Sequence, residues 1–553
     1  MPVTTSYPGV YIEELPSLVH SITPAPTSIA VFVGYTHPFR TKQFMTAVQL
    51  FSFADYQSDF GGFFSSPWQP DYVGHAVYQF FLNGGPTCYV VGLPAQEYYD
   101  YVGSPPQEQP VGSVAAASVT VPSGTVGESI TFTALQPVGV PAPSPQTGTI
   151  GIAMQVVFSN VKSSTSVSNA NDIADIVISY GTTVETYRKV QITSLLATLG
   201  SSNLVTAQTS SPAPSAYPPM GTYPLGYGSL TPPFVAPAAG YTVINPLDFG
   251  PVFADSASLD KVPVFNLLAT PGITDPGVTS EAAAYCERKR AFFIVDTPSP
   301  QKTGWDVNTV VGHLTQSTSL TPAPPVSINA AVYYPWLLTT DPITGNTTDP
   351  VTGNPIMAPP SGFVAGIYGQ EDSTRGVWKS PAGTETTLLG TTGVPSSGVM
   401  TDPQQGILNE NAINALRQFP AIGTVVFGAR TTAGADANTA QQQWKYVAVR
   451  RMALFIEQTL YANLTWAVFE GNDTPLWSAL TQEVTAFMLS LFRQGAFAGS
   501  TPSQAFVVQC DSTTTTPTDV ANGIVNILVG FAPLLPAEFV VVKIAQLAGQ
   551  AQS

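Results

Sequence analysis

The apolar positions of this chain fall into two recurring patterns, short continuous runs and stripes at helical spacing. Ser28 to Tyr35 (SIAVFVGY) is a continuous run and predicts a buried strand, and Leu50 to Phe60 predicts a strand followed by a short helix. His75 to Leu82 has helical spacing and is stopped by Asn83-Gly84-Gly85, after which Thr87 to Gly92 (TCYVVG) predicts a further strand. Strand–helix–strand order returns later. Val262 to Leu268 and Ala291 to Asp296 (AFFIVD) predict strands on either side of a helix from Thr279 to Arg290, capped by Thr279 or Ser280. Such a unit is normally parallel and right-handed. Ser327 to Leu338 (SINAAVYYPWLL) predicts one more strand.

The clearest helices lie in the final third. From Gln442 to Tyr461, the residues Trp444, Val447, Ala448, Met452, Phe455, Ile456 and Leu460 recur at three- and four-residue intervals and form one apolar stripe. A second helix opens at Thr474-Pro475 and runs through Leu480, Val484, Phe487, Met488 and Leu491 to Gly495. Strands are predicted over Ala505 to Cys510 and Ile524 to Val529. Last comes Glu538 to Leu547 (EFVVVKIAQL), which as a strand puts Val540, Val542 and Ile544 on one face and Phe539, Val541 and Ala545 on the other. Both faces are apolar, so this strand needs a partner that the chain itself does not obviously supply. A second short stretch of this kind, Val10, Tyr11, Ile12 and Glu13, sits between Pro8-Gly9 and Pro16 at the other end.

Composition changes this picture in one region. From about Glu97 to Ile244 the chain turns to Pro, Ser, Thr, Val and Gly with strand-like bursts at Ser118 to Val121 and Ser129 to Leu135, and a Pro-rich run from Ser210 to Ala239. Sparse charge and β-branched residues argue for a folded β-rich insertion over a disordered tail. Across all 553 residues only 10% are charged, against roughly 25% in ordinary soluble proteins, so much surface is expected to be covered by neighbours. Thirty-five acids against 19 bases give −16, which disfavours nucleic acid and anionic membrane as partners. Cys88, Cys286 and Cys510 are far apart and odd in number, so buried free thiols are expected rather than a disulfide framework. MPVTTSYPGV has no secretory pattern, and synthesis in a cytoplasm is expected. Gly523 to Val542 is apolar but interrupted by Asn526, Pro533, Pro536 and Glu538, which fits strands and a turn better than a membrane span.

Candidate chemistry is sparse. There is no phosphate loop, dinucleotide fingerprint, nucleophile elbow or H-E-x-x-H pattern, and His20, His37, His75 and His313 are scattered. No cofactor, metal site or catalytic residue is therefore expected. Asp296 ends a predicted strand where α/β folds often place a catalytic carboxylate, but no second member of a triad accompanies it. Asp341 to Asn346 (DPITGN) and Asp349 to Asn354 (DPVTGN) repeat with a period of eight; a duplicated turn and a calcium loop both fit. Lys445, Arg450 and Arg451 either face an acidic partner or form ion pairs within the chain. Glu470 and Asp473 flank Gly471-Asn472 in a turn that also caps the second helix.

These segments, taken in order, resemble contractile tail sheath proteins of phages, R-type pyocins and extracellular contractile injection systems. The resemblance rests on YPGVYIEE (Tyr7 to Glu14), PPSGFVAGIYGQEDSTRGVWKSPAG (Pro359 to Gly383) and NAINALRQFPAIGTVVFGART (Asn411 to Thr431), followed by WKYVAVRRMALFIEQTL, TWAVFEGND, LFRQGAFAG and PAEFVVVKI. It extends over 359–547, is weaker over the first 95 residues and 245–340, and is absent from the insertion.

The resemblance implies an α+β and α/β multidomain fold. Residues 1–20 would be an N-terminal arm, 21–96 and 403–536 the two parts of an α+β core, and 97–244 a β-rich insertion on the outside. Residues 245–402 would form a subtilisin-like α/β domain without catalytic function, and 537–553 a C-terminal arm strand. It implies a structural subunit that stacks with copies of itself in a helical sheath around an inner tube, with baseplate and cap proteins as further partners and contraction as its action. Val10, Tyr11, Ile12 and Glu13, with Phe539, Val540, Val541, Val542, Lys543 and Ile544, would be strands exchanged between subunits. Lys445, Arg450 and Arg451, or Asp519 and Asn522 within Pro517 to Gly523, would be candidate tube contacts. Assembly in a bacterial cytoplasm into a phage tail or released particle follows, without nucleic-acid binding or membrane insertion. The competing readings are a degenerate α/β hydrolase and a surface-layer or adhesin protein.

Overall fold

The computed structural model describes residues 21–64, 69–95, 97–102, 107–113, 116–123, 126–136, 154–162, 172–180, 183–225, 244–299, 307, 309–315, 325–342, 345–348 and 355–542. The chain forms two compact units. One spans Ser28–Ser373 and Pro381–Lys445; the other gathers residues up to Thr27, Thr374–Ser380 and those from Tyr446 onward.

The first unit is organised on an eight-stranded sheet. Its strands are β1 (Ile29–Tyr35), β2 (Ala47–Leu50), β3 (Thr87–Leu93), β4 (Leu267–Ala269), β5 (Phe292–Asp296), β6 (Ala330–Tyr334), β7 (Ile413–Phe419) and β8 (Gly423–Val426). The spatial order is β8-β7-β6-β5-β4-β1-β3-β2. From β3 to β7 every pairing is parallel, with Ala30 opposite Leu267, Phe293 opposite Ala330 and Val332 opposite Ile413. β2 and β8 add antiparallel edges. Parallel strands are covered on both faces, which is why β1, β5 and β6 read as unbroken apolar runs. Val31, Val33, Phe293, Val295, Val332 and Tyr334 enter one core, with helix residues Ala282, Tyr285 and Cys286 among their neighbours.

Helices α1 (Phe53–Phe60), α2 (Tyr72–Leu82), α3 (Pro276–Lys289), α4 (Ser361–Thr374) and α5 (Asp402–Glu410) accompany this sheet. α4 is enclosed, with every residue from Ser361 to Gly369 buried. Its glycines explain how: a Cβ on Gly362 would stand 2.5 Å from the Ala76 backbone, and one on Gly366 2.6 Å from Asn83 Cβ. The GFVAG spacing thus lets α4 lie directly on α2.

The insertion is a β-sandwich in miniature. A four-stranded antiparallel sheet (Gln155–Lys162, Ile173–Tyr180, Thr183–Gln191, Gly221–Pro224) and a three-stranded one (Ser118–Pro122, Ser129–Ala134, Val205–Thr209) share a core of Ile130, Phe132, Val156, Phe158, Ile176 and Ile178. Alternating burial along Ile173–Tyr180 gives the period of two expected of such a strand.

The second unit pairs α6 (Val447–Asn463) with α7 (Thr474–Arg493) and adds β9 (Phe506–Gln509) and β10 (Leu528–Phe531). Met452, Phe455 and Ile456 of α6 meet Val484, Phe487, Met488 and Leu491 of α7, and Phe506, Val508, Val529 and Phe531 pack on this cluster. Val377 joins it from the Gly-Val-Trp segment. Asp473 caps α7 by accepting from Leu476 N at 3.2 Å.

Several boundaries differ from the sequence expectations. The strand expected over Val262 to Leu268 is only β4, because the Val262 N–H closes a 3₁₀ turn on Leu259 O and Pro263 has no N–H to donate. α3 begins at Pro276 and not at Thr279, capped by Asp275 Oδ1 on the N–H groups of Gly277 and Val278 at 2.9 and 3.1 Å. Pro335 divides the run Ser327 to Leu338 into β6 and a two-residue bridge strand. α6 starts five residues late, since Thr439–Trp444 winds as a 3₁₀ segment with a non-helical Gln441. The strand placed at Ile524 to Val529 is β10, displaced because Ile524 N closes the preceding short helix on Asp519 O.

One larger correction concerns domains. The expected α+β core of 21–96 with 403–536 is not one layer: β1 to β3 and β7 to β8 extend the sheet of the middle segment, and the break falls at Lys445–Tyr446. The cause is strand pairing, since β1 bonds β4 and β7 bonds β6. Sequence order does not reveal such pairings.

Candidate assembly surfaces and the buried Asp–Ser pair

Among the described residues, the constellation that most resembles a catalytic one lies at the C-terminal end of β5. Asp296 is 4% exposed and receives three donors: Gly272 N at 2.9 Å, Ser361 N at 2.8 Å and Ser361 Oγ at 2.7 Å. Burial pushes its carboxyl up to about 6, against the hydrogen bonds from Gly272 and Ser361 that pull it down. Gly272 has φ +69°, and a Cβ there would lie 2.4 Å from the Tyr72 ring, so only glycine brings this N–H to the carboxylate. Ser361 is fully buried and its hydroxyl points at an acceptor that cannot relay a proton as an imidazole does. The pair clamps the first turn of α4 to the end of β5. Ser361 carried no signal in the sequence beyond the Pro-Pro-Ser-Gly pattern.

His37 and His75 take no part. His37 packs against Phe64 at 5.2 Å and His75 against Phe63 at 5.2 Å, and burial depresses them to about 3 and about 4, so both are neutral. His20 and the His313 side chain lie outside the described residues. Cys88, Cys286 and Cys510 are buried free thiols. Of the two repeats, Asp341 to Asn346 closes a turn through Asp341 N to Asn346 O at 2.8 Å and Gly345 N to Asp341 O at 2.7 Å. The second, Asp349 to Asn354, lies outside the described residues. Among the described residues no group of three His, Cys, Asp or Glu side chains could hold a metal.

The basic residues turn inward. Lys445 Nζ pairs with Asp436 at 2.7 Å, and Arg430, whose side chain is 2% exposed, reaches the same carboxylate at 3.0 Å. The Lys445 hydrogen bond holds the Asp436 carboxyl below its usual range. Arg450 pairs with Glu457 at 3.1 Å. Arg451 is 3% exposed and donates Nη2 to Thr27 O at 2.9 Å, which corrects its assignment as a tube contact: a buried side chain cannot meet a partner. Lys445 and Arg450 thus form ion pairs within the chain. Asp519 and Asn522 lie at the short helix α8 (Pro517–Ala521), where Asp519 and Thr516 cap each other and Asn522 is exposed.

The C-terminal segment has a different character. Leu535, Phe539, Val540, Val541 and Val542 are 66%, 76%, 83%, 79% and 76% exposed, and no strand is formed over 534–542. Val10 to Glu13, Lys543 and Ile544 lie outside the described residues. Beside this segment in sequence, β9 and β10 form a two-stranded sheet among the described residues, in antiparallel register from Phe506–Phe531 to Gln509–Leu528. A two-stranded sheet is marginal on its own and presents unpaired backbone along its outer edges. Among the described residues no helix is long and apolar enough to cross a membrane.

The chain thus combines a multidomain α/β body, a buried Asp–Ser clamp and an exposed apolar segment over Phe539–Val542. Two family models match the chain, the phage tail sheath protein central domain over residues 256–432 and the phage tail sheath C-terminal domain over 439–546, together just over half of it. The chain belongs to the phage tail sheath family. Among solved structures it is similar to the PVC sheath complex of an extracellular contractile injection system in the contracted state, with 22% identity, TM-score 0.54 and 99% of both chains covered. It is also similar to the helical sheath of the anti-feeding prophage in the contracted state, with 22% identity, TM-score 0.55 and coverage of 98% of this chain and 100% of that one. A chain of the anti-feeding prophage baseplate matches with TM-score 0.53 and 22% identity over 98% of this chain. No curated protein matches.

Proposed function

We propose that this sheath-family protein stacks with copies of itself into a helical sheath around an inner tube, and that the sheath contracts to drive the tube into a target. The observation that carries the reading is the exposed apolar run Phe539–Val542 in a chain whose smaller unit offers a sheet of only two strands. Each fault repairs the other when the run of one copy adds to the sheet of the next. Val10 to Glu13 would supply a second exchanged strand. Main-chain hydrogen bonds would then tie subunits together while their bodies rotate, and the passage from a high-energy extended packing to a lower-energy contracted one would drive contraction without a nucleotide.

The remaining parts follow from the same reading. The parallel sheet, with Asp296 at a strand end and Ser361 at the start of a buried helix, supports a subtilisin-related ancestry for the middle domain, with the site reduced to a structural clamp. The β-sandwich insertion would face outward. Asp519 and Asn522 on α8 remain tube-contact candidates, while Lys445 and Arg450 are already engaged. Baseplate and cap proteins would close the ends, and assembly would take place in a bacterial cytoplasm before the particle acts outside. Electron microscopy of the purified chain tests this: striated tubes of uniform bore are expected, and a monomer that never polymerises under any condition counts against it.

A further inference from the structure

Between α6 and α7 the chain presents one side chain to solvent at a conformational cost. Phe469 is fully exposed at φ +73°, a left-handed conformation that a bulky residue rarely adopts. Val468 beside it is 61% exposed. The loop under them is tightly braced. Val468 N bonds Thr465 O at 3.2 Å, Glu470 N bonds Ala467 O at 3.3 Å, and Asp473 N bonds Gly471 O at 2.9 Å. Asn472 ties the loop sideways, accepting from Trp477 Nε1 at 2.9 Å and donating to Ile524 O at 3.0 Å. A strained, rigid, apolar tip with exposed Glu470 and Asp473 on its shoulder loses little entropy on docking, which is the character of an interface anchor.

The larger unit carries a groove of matching chemistry. The β7–β8 hairpin and the segment Val394–Met400 enclose about 580 Å³, lined by Val399, Met400, Leu416, Phe419 and Ile422. Val399 and Ile422 are 61% and 40% exposed on it. Arg417 supplies a cation on its wall, with its guanidinium 5.1 Å from the Phe419 ring centre and Nη1 on Asp402 at 2.8 Å. We infer that Phe469 of one copy docks in the Phe419–Ile422 groove of a second copy, with Glu470 set against Arg417. Knob and groove are different surfaces of the same chain, so the contact is head-to-tail, the kind that repeats from copy to copy in rings and helical polymers. It is independent of the terminal strands.

This inference rests on the reading of the chain as a self-assembling sheath subunit, and the experiment separates the two. The full chain carrying Phe469→Cys and Ile422→Cys is polymerised and mildly oxidised; the native cysteines are buried. A ladder of disulfide-linked multimers, absent from either single variant, is expected. Assembled tubes without a ladder overturn the contact and leave the sheath reading intact, whereas a native chain that never polymerises overturns the sheath reading itself. Where the double variant folds by circular dichroism but does not assemble, a 1:1 co-assembly of the single variants is oxidised, and absence of linked dimers overturns the contact. Phe469→Ala is expected to raise the critical concentration for polymerisation about tenfold; an unchanged value also overturns it.

Discussion

In the larger unit each strand from β3 to β7 has a neighbour on both sides, and both edges are closed. β8 is bonded along its outer side through Gly383 N to Val426 O at 2.9 Å and Leu388 N to Thr424 O at 2.8 Å, and Ala47 of β2 donates to Ser258 Oγ at 2.9 Å. In the smaller unit, among the described residues, β9 and β10 pair with each other, with Ala498 N on Ala532 O at 2.9 Å and a Phe497–Pro533 bridge where the chain leaves β10, and the apolar segment that follows lies in solvent. Both regions are rich in Val and Phe. The difference teaches that hydrophobic content alone does not make a core: one sheet pairs its backbone within the chain, while the other stops at two strands beside an exposed apolar segment.

The comparison is broken most severely by ending the chain after Pro536. A folded, soluble subunit that no longer extends polymers is expected, read by sedimentation and electron microscopy, and native-like tubes from this chain would sink the strand-exchange proposal. Next in size is Phe32→Ala in β1, where a fully buried ring meets Phe80 at 5.5 Å. Its loss is expected to cost about 3–5 kcal/mol of subunit stability by denaturant titration. Asp296→Asn leaves an amide N–H facing the donors from Gly272 and Ser361, and a loss of about 1–3 kcal/mol is expected at neutral pH.

A pH titration sharpens the contrast further. Asp71 and Asp296 have carboxyls raised by burial from 3.8 to about 7 and about 6, so the folded state holds protons that the unfolded state has released. Their contribution is fully present below pH 3.8 and is lost as pH rises through 6 and 7. His37 and His75, depressed to about 3 and about 4, act with the opposite sign over the same range, so the effect is read as the stability difference between the native subunit and Asp296→Asn; that difference is expected to fall as pH rises from 3.8 to about 6, and one that rises there contradicts the assignment. The smallest effect belongs to the exposed tail: Val541→Asp is expected to change subunit stability by no more than about 0.5 kcal/mol while weakening polymerisation.

Much of this was legible in residue order. The runs at Ser28–Tyr35, Thr87–Gly92 and Ala291–Asp296 match β1, β3 and β5 because strands buried on both faces are continuously apolar. The stripes of α6 and α7 were equally clear. Less legible were ends set by single hydrogen bonds, such as the Asp275 cap, and the 3₁₀ turn before α6. The surface site was legible only as an excess of apolar residues at Phe539–Val542. The groove beside Arg417 was not, because its wall joins the β7–β8 hairpin to Val394–Met400, which local pattern cannot place together.

By itself the sequence determined the apolar periodicities, the low charge, the lack of catalytic spacing and the motifs that mark the family, all properties of neighbouring residues. Only the tertiary structure decided that strands from 29–93, 267–334 and 413–426 share one sheet, that Arg451 is buried, and that Ser361 closes on Asp296. The reason is physical: strand pairing and desolvation depend on which distant segments meet, and that is settled by the packing of the whole chain.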